Sequence, residues 1–167
     1  MLQGPGVLNY SLVLRAAEGS PLGSITSANR FIMERNAAAL TQLLGATVEV
    51  QGHTDLAIAG RKFSGNAQRR KRTHLLFHGA ILLNLDLNLL DAVLPMPSLE
   101  PDYRQHRPHR EFLTQLAATA TAVKAALRSA WSCSKSSDLA SVAPDSRDEA
   151  AKLVTDKYAR DDWNRRV

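Results

Sequence analysis

The order of elements along the chain predicts an α+β fold, a mixed β-sheet flanked by helices, rather than a doubly wound α/β arrangement. Three observations carry this. A strand and a long helix come first, several short strands then follow one another with turn signals between them, and the last third has helical patterning only. A chain of 167 residues, 44% hydrophobic, is also long enough to bury a core without disulfides or a structural metal.

The apolar and β-branched stretch from Val7 to Leu14 reads as the first strand. Gly19, Pro21 and Gly23 punctuate a loop, after which Ser24 is placed to cap a helix. Ile25, Ala28, Ile32, Leu40, Leu43 and Leu44 keep helical spacing along it, and Gly45 ends it. Short strands are expected at Thr47–Val50, Asp55–Ala59 and Lys62–Gln68, the last two joined by a tight turn at Ala59-Gly60. The nearly continuous apolar run from Leu75 to Leu83 suits a strand covered on both faces. Leu89, Leu90, Val93 and Leu94 suggest a short helix stopped by Pro95, and the proline-rich, charged segment from Met96 to Pro108 reads as an extended surface loop. An amphipathic helix is expected from Glu111 to Trp131, with Phe112, Leu116, Val123 and Leu127 on its apolar face. Residues 132–146 are serine-rich and read as a flexible linker, and a capping box of Ser146 and Glu149 opens a final helix.

Charge is unevenly distributed. No carboxylate occurs in the 30 residues between Asp55 and Asp86, which carry Arg61, Lys62, Arg69, Arg70, Lys71 and Arg72. That stretch is +6 and the remainder −1, within a net charge of +5. A positive field confined to one segment points to an anionic partner there, or to a solvated loop rich in arginine. The single cysteine excludes a disulfide framework and a cysteine-rich zinc site, and suits a reducing compartment. No apolar run approaches the roughly 18 residues of a membrane helix, and the first six residues lack the pattern of a signal peptide. A cytoplasmic, monomeric protein is therefore expected.

The segment Arg61-Lys62-Phe63-Ser64-Gly65-Asn66-Ala67-Gln68 is unusual for a strand. A glycine inside a strand weakens it, and often marks close approach of a ligand to the backbone. Lys62, three residues earlier, brings an ammonium suited to phosphate or to a developing oxyanion. On the residues alone, an exposed lysine on a hairpin with a bulge glycine is the simpler alternative.

Three motifs in order weigh against that alternative: Thr54-Asp55-Leu56, Gly60-Arg61-Lys62-Phe63-Ser64-Gly65-Asn66-Ala67-Gln68, and Phe77-His78-Gly79-Ala80-Ile81-Leu82-Leu83. Together they resemble the lipoate–protein ligase family, within the biotin/lipoate ligase and octanoyltransferase superfamily. Gly4-Pro5-Gly6-Val7-Leu8-Asn9-Tyr10 is similar to the segment after that family's glycine-rich loop, and Lys157-Tyr158 and Trp163-Asn164 resemble the end of its domain. The resemblance implies a biotin/lipoate ligase-like catalytic domain over residues 1–167. It implies activation of lipoate, or a related acyl acid, by ATP with its Mg2+, and transfer of the acyl group to a lysine of a lipoyl-domain protein. Lys62 would be the catalytic cation, and Asn9, Asp55, Gly65, Ala67, His78 and Gly79 would line the adenylate pocket. Two departures stand out. The family's glycine-rich loop would precede Gly4, so the domain is expected to be N-terminally incomplete, a fragment or a non-catalytic remnant that by itself binds the acyl-adenylate weakly and turns over poorly. Ala80 stands where the ligases usually carry threonine.

Three other chemistries have partial support in the residues. The octanoyltransferase branch of the superfamily needs a cysteine nucleophile, either shortly before the lysine motif or later beside Pro-Gly. None occurs near Thr47, and Ser132-Cys133-Ser134 has no Pro-Gly. Nucleic-acid binding through Arg69-Arg70-Lys71-Arg72, with Phe77 or Tyr103 stacking on bases, is opposed by the scarcity of aromatics and by the absence of a known motif. The cluster fits better as a hairpin tip beside the pocket that meets an acidic lipoyl domain. For metal binding, His74 and His78 are separated as strand residues would be, and arginines surround His106 and His109, so no metal ligand is assigned. Magnesium carried by ATP needs no dedicated protein ligands.

Overall fold

The computed structural model describes residues 3–17, 19–135 and 144–165. The chain divides between Ser132 and Cys133 into two compact units.

The first unit is built on five strands: β1 (Val7–Arg15), β2 (Glu49–Gln51), β3 (Asp55–Ile58), β4 (Arg61–Arg70) and β5 (His74–Leu82). They form one sheet in the order β1-β5-β4-β3-β2, with every neighbouring pair antiparallel. Among the described residues, parallel pairing is confined to a single bridge between Lys62 and Leu113. Alternation along the strands divides the sheet into two faces. Leu8, Leu12, Leu75, Phe77 and Ile81 turn inward and pack with α1 (Ile25–Leu44), while Asn9, Ser11, Val13, Leu76 and His78 lie on the opposite, exposed face. The run expected to be covered on both faces is thus covered on one. Leu76 and His78 belong to the open side.

Helix α1 has the predicted limits for the predicted reasons. The Ser24 hydroxyl accepts from the Ser27 N–H, and Gly45 takes the left-handed conformation (φ 64°) that lets its N–H reach Thr41 O at 2.9 Å. Its buried residues Ala28, Ile32, Met33, Ala37 and Leu40 meet Phe63, Phe77 and Ile81 of the sheet in one core cluster. The two-residue turn Ala59-Gly60 closes the β3–β4 hairpin with both residues at positive φ (49° and 69°).

The helix expected from Glu111 to Trp131 is two helices, α3 (His109–Phe112) and α4 (Ala120–Ala130), separated by non-helical residues 113–119. The backbone between them is needed elsewhere. Thr114 N–H donates to Lys62 O and Leu116 N–H to Leu82 O, both at 2.8 Å, so this segment completes hydrogen bonding at the end of the sheet. Thr119 then caps α4 by accepting from Ala122 N–H at 3.2 Å. The short helix is α2 (Leu87–Val93), capped by Asp86. The loop from Met96 to Pro108 is more ordered than expected: a 3-10 turn at Asp102–Arg104 buries the Arg104 side chain.

The second unit contains α5 (Pro144–Leu153), a π-type turn at Val154–Tyr158, and α6 (Asp161–Asn164). Helix α5 opens at Pro144, so Ser146 lies inside the helix and is not its cap. Tyr158 and Trp163 pack edge to face at 5.5 Å, with Lys157 over the Trp163 ring at 4.1 Å. Residues 136–143 of the expected linker lie outside the described residues. No helix among the described residues is long and apolar enough to cross a membrane.

Candidate functional site

A lysine and a glycine three residues apart in a regular strand point to opposite faces. Here they share one. The register between β3 and β4 shifts by one residue, so Leu56 pairs with Ser64 but Ala57 with Lys62, leaving Phe63 as the extra residue of a β-bulge. Phe63 and Ser64 are consequently both buried, and Lys62 rejoins Gly65 on the open face. A Cβ on Gly65 would sit 3.1 Å from both Cε and Nζ of Lys62. The space this glycine leaves is therefore occupied first by the lysine side chain.

Lys62 Nζ lies 2.8 Å from Asp55 Oδ1, and Tyr103 Oη donates to Asp55 Oδ2 at 2.7 Å. An ammonium has three donors, and Asp55 is the one polar partner that Lys62 Nζ has among the described residues, so two donors remain for a ligand. Burial, and then the Asp55 carboxylate, push the Tyr103 hydroxyl well above its ordinary range, so it stays a proton donor. The sequence offers Tyr103 only as a base-stacking residue. No periodicity in its proline-rich loop placed it beside Asp55, and tertiary packing does. Its ring packs on Phe112 at 5.1 Å, Arg107 donates to Tyr103 O at 2.8 Å, and the guanidinium of Arg104 lies 4.8 Å from the centre of the Phe112 ring.

These groups border a cavity of about 510 Å³ on the open face. Asn9, Asp55, Lys62, Gly65, Ala67, His78 and Gly79 all line it, so the structure brings the sequence-derived site residues together. Their contributions differ. Gly65, Ala67 and Ala80 keep its floor low, and Asn9 is exposed at its edge and donates to Gln3 at 3.2 Å. Gly79 contributes backbone, while its missing side chain matters on the inner face. A Cβ there would lie 1.7 Å from Asn66 Oδ1 and 2.9 Å from Tyr10 Cε1.

Those two side chains belong to a polar chain that braces β4 from behind. Trp131 Nε1 donates to Asn36 Oδ1 (2.8 Å), Asn36 Nδ2 to Tyr10 Oη (2.9 Å), and Tyr10 Oη to Asn66 Oδ1 (2.6 Å). Asn66 Nδ2 donates to Thr54 O (2.7 Å), and Thr54 Oγ1 returns a bond to Asn66 O (2.5 Å). Burial raises the Tyr10 hydroxyl above its ordinary value.

The basic cluster does not act as one group. Arg61 donates to Arg110 O and Leu113 O, and Arg70 to Leu22 O and Ser24 O, so both are spent on the fold. Arg69, Lys71 and Arg72 remain exposed at the β4–β5 turn. The turn is not beside Lys62 but at the far end of the open face, four residues of β4 beyond Gly65. The paired histidines also have local partners: His106 faces Glu100 at 2.8 Å, and His109 meets Pro95 O at 3.3 Å. Among the described residues, no three His, Cys, Asp or Glu converge to hold a metal. A larger hollow of about 820 Å³ between α1 and α4 is lined mainly by alanines and carries no carboxylate, histidine or cysteine.

Comparison with known proteins agrees with this geometry. The lipoyl protein ligase A/B catalytic domain model matches residues 1–129, which include the sheet and every residue of the cavity. An octanoyltransferase LipM of Kyrpidia tusciae is 32% identical over 120 residues, covering 67% of this chain and 43% of that protein. A lipoate-protein ligase A structure with bound ATP superposes with a TM-score of 0.76 at 24% identity, covering 95% of this chain and 65% of the other. A bipartite lipoate protein ligase of Thermoplasma acidophilum, studied with its E2 lipoyl domain, gives 0.75 at 24% identity, covering 96% and 64%. The chain thus spans less than half the length of its curated relative and about two thirds of these structures. With the matched region holding the bulged strand, Lys62 and the cavity, the chain belongs to the lipoyl protein ligase A/B catalytic domain family.

Proposed function

We propose that this chain carries the acyl-activation centre of a lipoate–protein ligase, taking lipoate or a related acyl acid and ATP with its Mg2+ as substrates. The observation that carries this is Lys62. Its ammonium is anchored by Asp55 at 2.8 Å on the floor of the open cavity, with two N–H donors unclaimed by the described residues. Two successive displacements each build negative charge on oxygen. The acyl carboxylate attacks the α-phosphorus of ATP and pyrophosphate leaves. An acceptor lysine amine then attacks the acyl carbonyl, AMP leaves with the bonding electron pair, and the amine gives up a proton. A fixed ammonium stabilises both transition states without forming a covalent bond. Gly65, Ala67, His78, Gly79 and Asn9 would form the bed for the acyl-adenylate, with a lipoyl domain as the acceptor.

Octanoyl transfer through a cysteine thioester is the second reading, favoured by the name of the curated relative. Cys133, the one cysteine of the sequence, lies in Ser132-Cys133-Ser134 with no Pro-Gly beside it, and no cysteine stands shortly before the Lys62 motif. This supports the ligase reading. Pyrophosphate release with lipoate and ATP, measured on the full-length protein, should fall about 10²–10³-fold in Lys62→Ala, with thermal melting nearly unchanged. Cys133→Ser should leave transfer intact. An octanoyl thioester trapped on Cys133 and detected by mass spectrometry would replace this reading with the transferase one.

A further inference from the structure

The open face continues beyond the cavity to the β4–β5 turn, where its character changes. Val13 and Leu76 pair directly in register and are 71% and 38% exposed, and Arg69 pairs with Leu76 from the other side. Around this apolar pair stand Arg15 at the end of β1 and Lys71 and Arg72 in the turn, all exposed. Among the described residues, none of these four cations forms an ion pair, in contrast to Lys62, Arg104 and Arg110. An apolar centre ringed by unpaired charge of one sign has the anatomy of a protein-docking patch whose partner carries the opposite charge. It is poorly made for nucleic acid. Phe77 is fully buried and Tyr103 is bonded to Asp55, so neither aromatic offers a stacking surface here.

We infer that this end of the sheet, Val13 and Leu76 framed by Arg15, Arg69, Lys71 and Arg72, docks an acidic protein domain, the acceptor whose lysine is to be acylated. The inference rests on the reading of Lys62 as the acyl-transfer centre. Arg69 and Gly65 lie on the same strand and the same face, about 13 Å apart at the rise of a strand. An acceptor seated on the patch would therefore have its lysine arm directed along the open face toward the cavity.

The test uses the full chain, an apo-lipoyl domain of net negative charge, and the variant Arg69→Glu/Lys71→Glu/Arg72→Glu. Binding is measured by titration at low salt, and pyrophosphate release is followed separately without acceptor. The variant is expected to bind the domain at least about tenfold more weakly, to show the same pyrophosphate release, and to melt as the wild type does. Wild-type binding should weaken as salt rises. Val13→Ser, which leaves every charge in place, should also weaken binding. Loss of binding in a chain that releases no pyrophosphate would keep the docking surface and remove the ligase reading. Unchanged binding by the triple variant would overturn the docking surface. So would a wild type that binds single-stranded DNA tightly while ignoring the acidic domain.

Discussion

At Lys62 the ammonium, one carboxylate and one phenol form a line, and each member restrains the next. Removing the Tyr103 hydroxyl leaves Asp55 Oδ2 without its donor and loosens the carboxylate that anchors the lysine. Tyr103→Phe is expected to lower pyrophosphate release by about tenfold, well short of the Lys62→Ala loss, with a stability cost of about 1 kcal/mol. Steady-state kinetics and urea unfolding on one preparation check both numbers. Gly65→Ala acts from the other side, because its new methyl would crowd Cε and Nζ of Lys62. The far end of a lysine moves easily, so folding should be nearly untouched while activity falls. A melting temperature that dropped as sharply as the rate would mean that the glycine serves the strand and not the lysine.

Among the elements, the β3–β4 hairpin does the positioning, and its turn carries a correctable defect. Ala59 adopts a left-handed φ of 49°, a conformation that costs an L-residue with a Cβ roughly 1–2 kcal/mol and that asparagine tolerates better. Ala59→Asn should therefore stabilise the protein by about 0.5–1 kcal/mol, read as a higher urea midpoint at constant slope, with Lys62 chemistry unchanged. The bulge at Phe63 has the opposite character. It interrupts the ladder to put two successive side chains into the core and Lys62 onto the open face. Deleting Phe63 would restore regular pairing and leave Lys62, then two residues before Gly65, on the same open face. The expected effect is a loss of stability of about 3–5 kcal/mol from the missing core side chain, read by urea unfolding, with pyrophosphate release retained in the fraction that folds.

Across the whole first unit, the chain Trp131–Asn36–Tyr10–Asn66–Thr54 ties the end of α4 through α1 and β1 to the strand that bears the site. This gives the molecule a pH signature. The folded state holds the Tyr10 hydroxyl neutral beyond its ordinary value of 10.0, whereas the unfolded chain ionises near that value. Below pH 10 both states are neutral at this residue and nothing changes. As pH rises past 10 the unfolded state gives up a proton that the folded state keeps, so stability falls, by up to about 1.4 kcal/mol per pH unit from this residue. Tyr10→Phe should be less stable near neutrality, because it strands Asn36 and Asn66 without their shared partner. It should also lose stability less steeply between pH 10 and 11. Equal slopes in urea unfolding would show that Tyr10 ionises freely in the fold.

Much of this was legible in the residues. Ser24 and Gly45 bound α1 because capping and left-handed φ are properties of single residues and their immediate neighbours. Ala59-Gly60 marked its turn for the same reason, and the Lys62 and His78 motifs marked the cavity-lining strands. What only the tertiary structure decided depends on partners far apart in sequence. Tyr103 reaches Asp55 across 48 positions, Trp131 reaches Asn36 across 95, and residues 113–116 leave their helical pattern because the sheet's end offers their backbone hydrogen bonds. The bulge belongs with these. Periodicity read along the chain assumes a constant step of two, and one extra residue, visible only against the partner strand, decides which face Lys62 occupies.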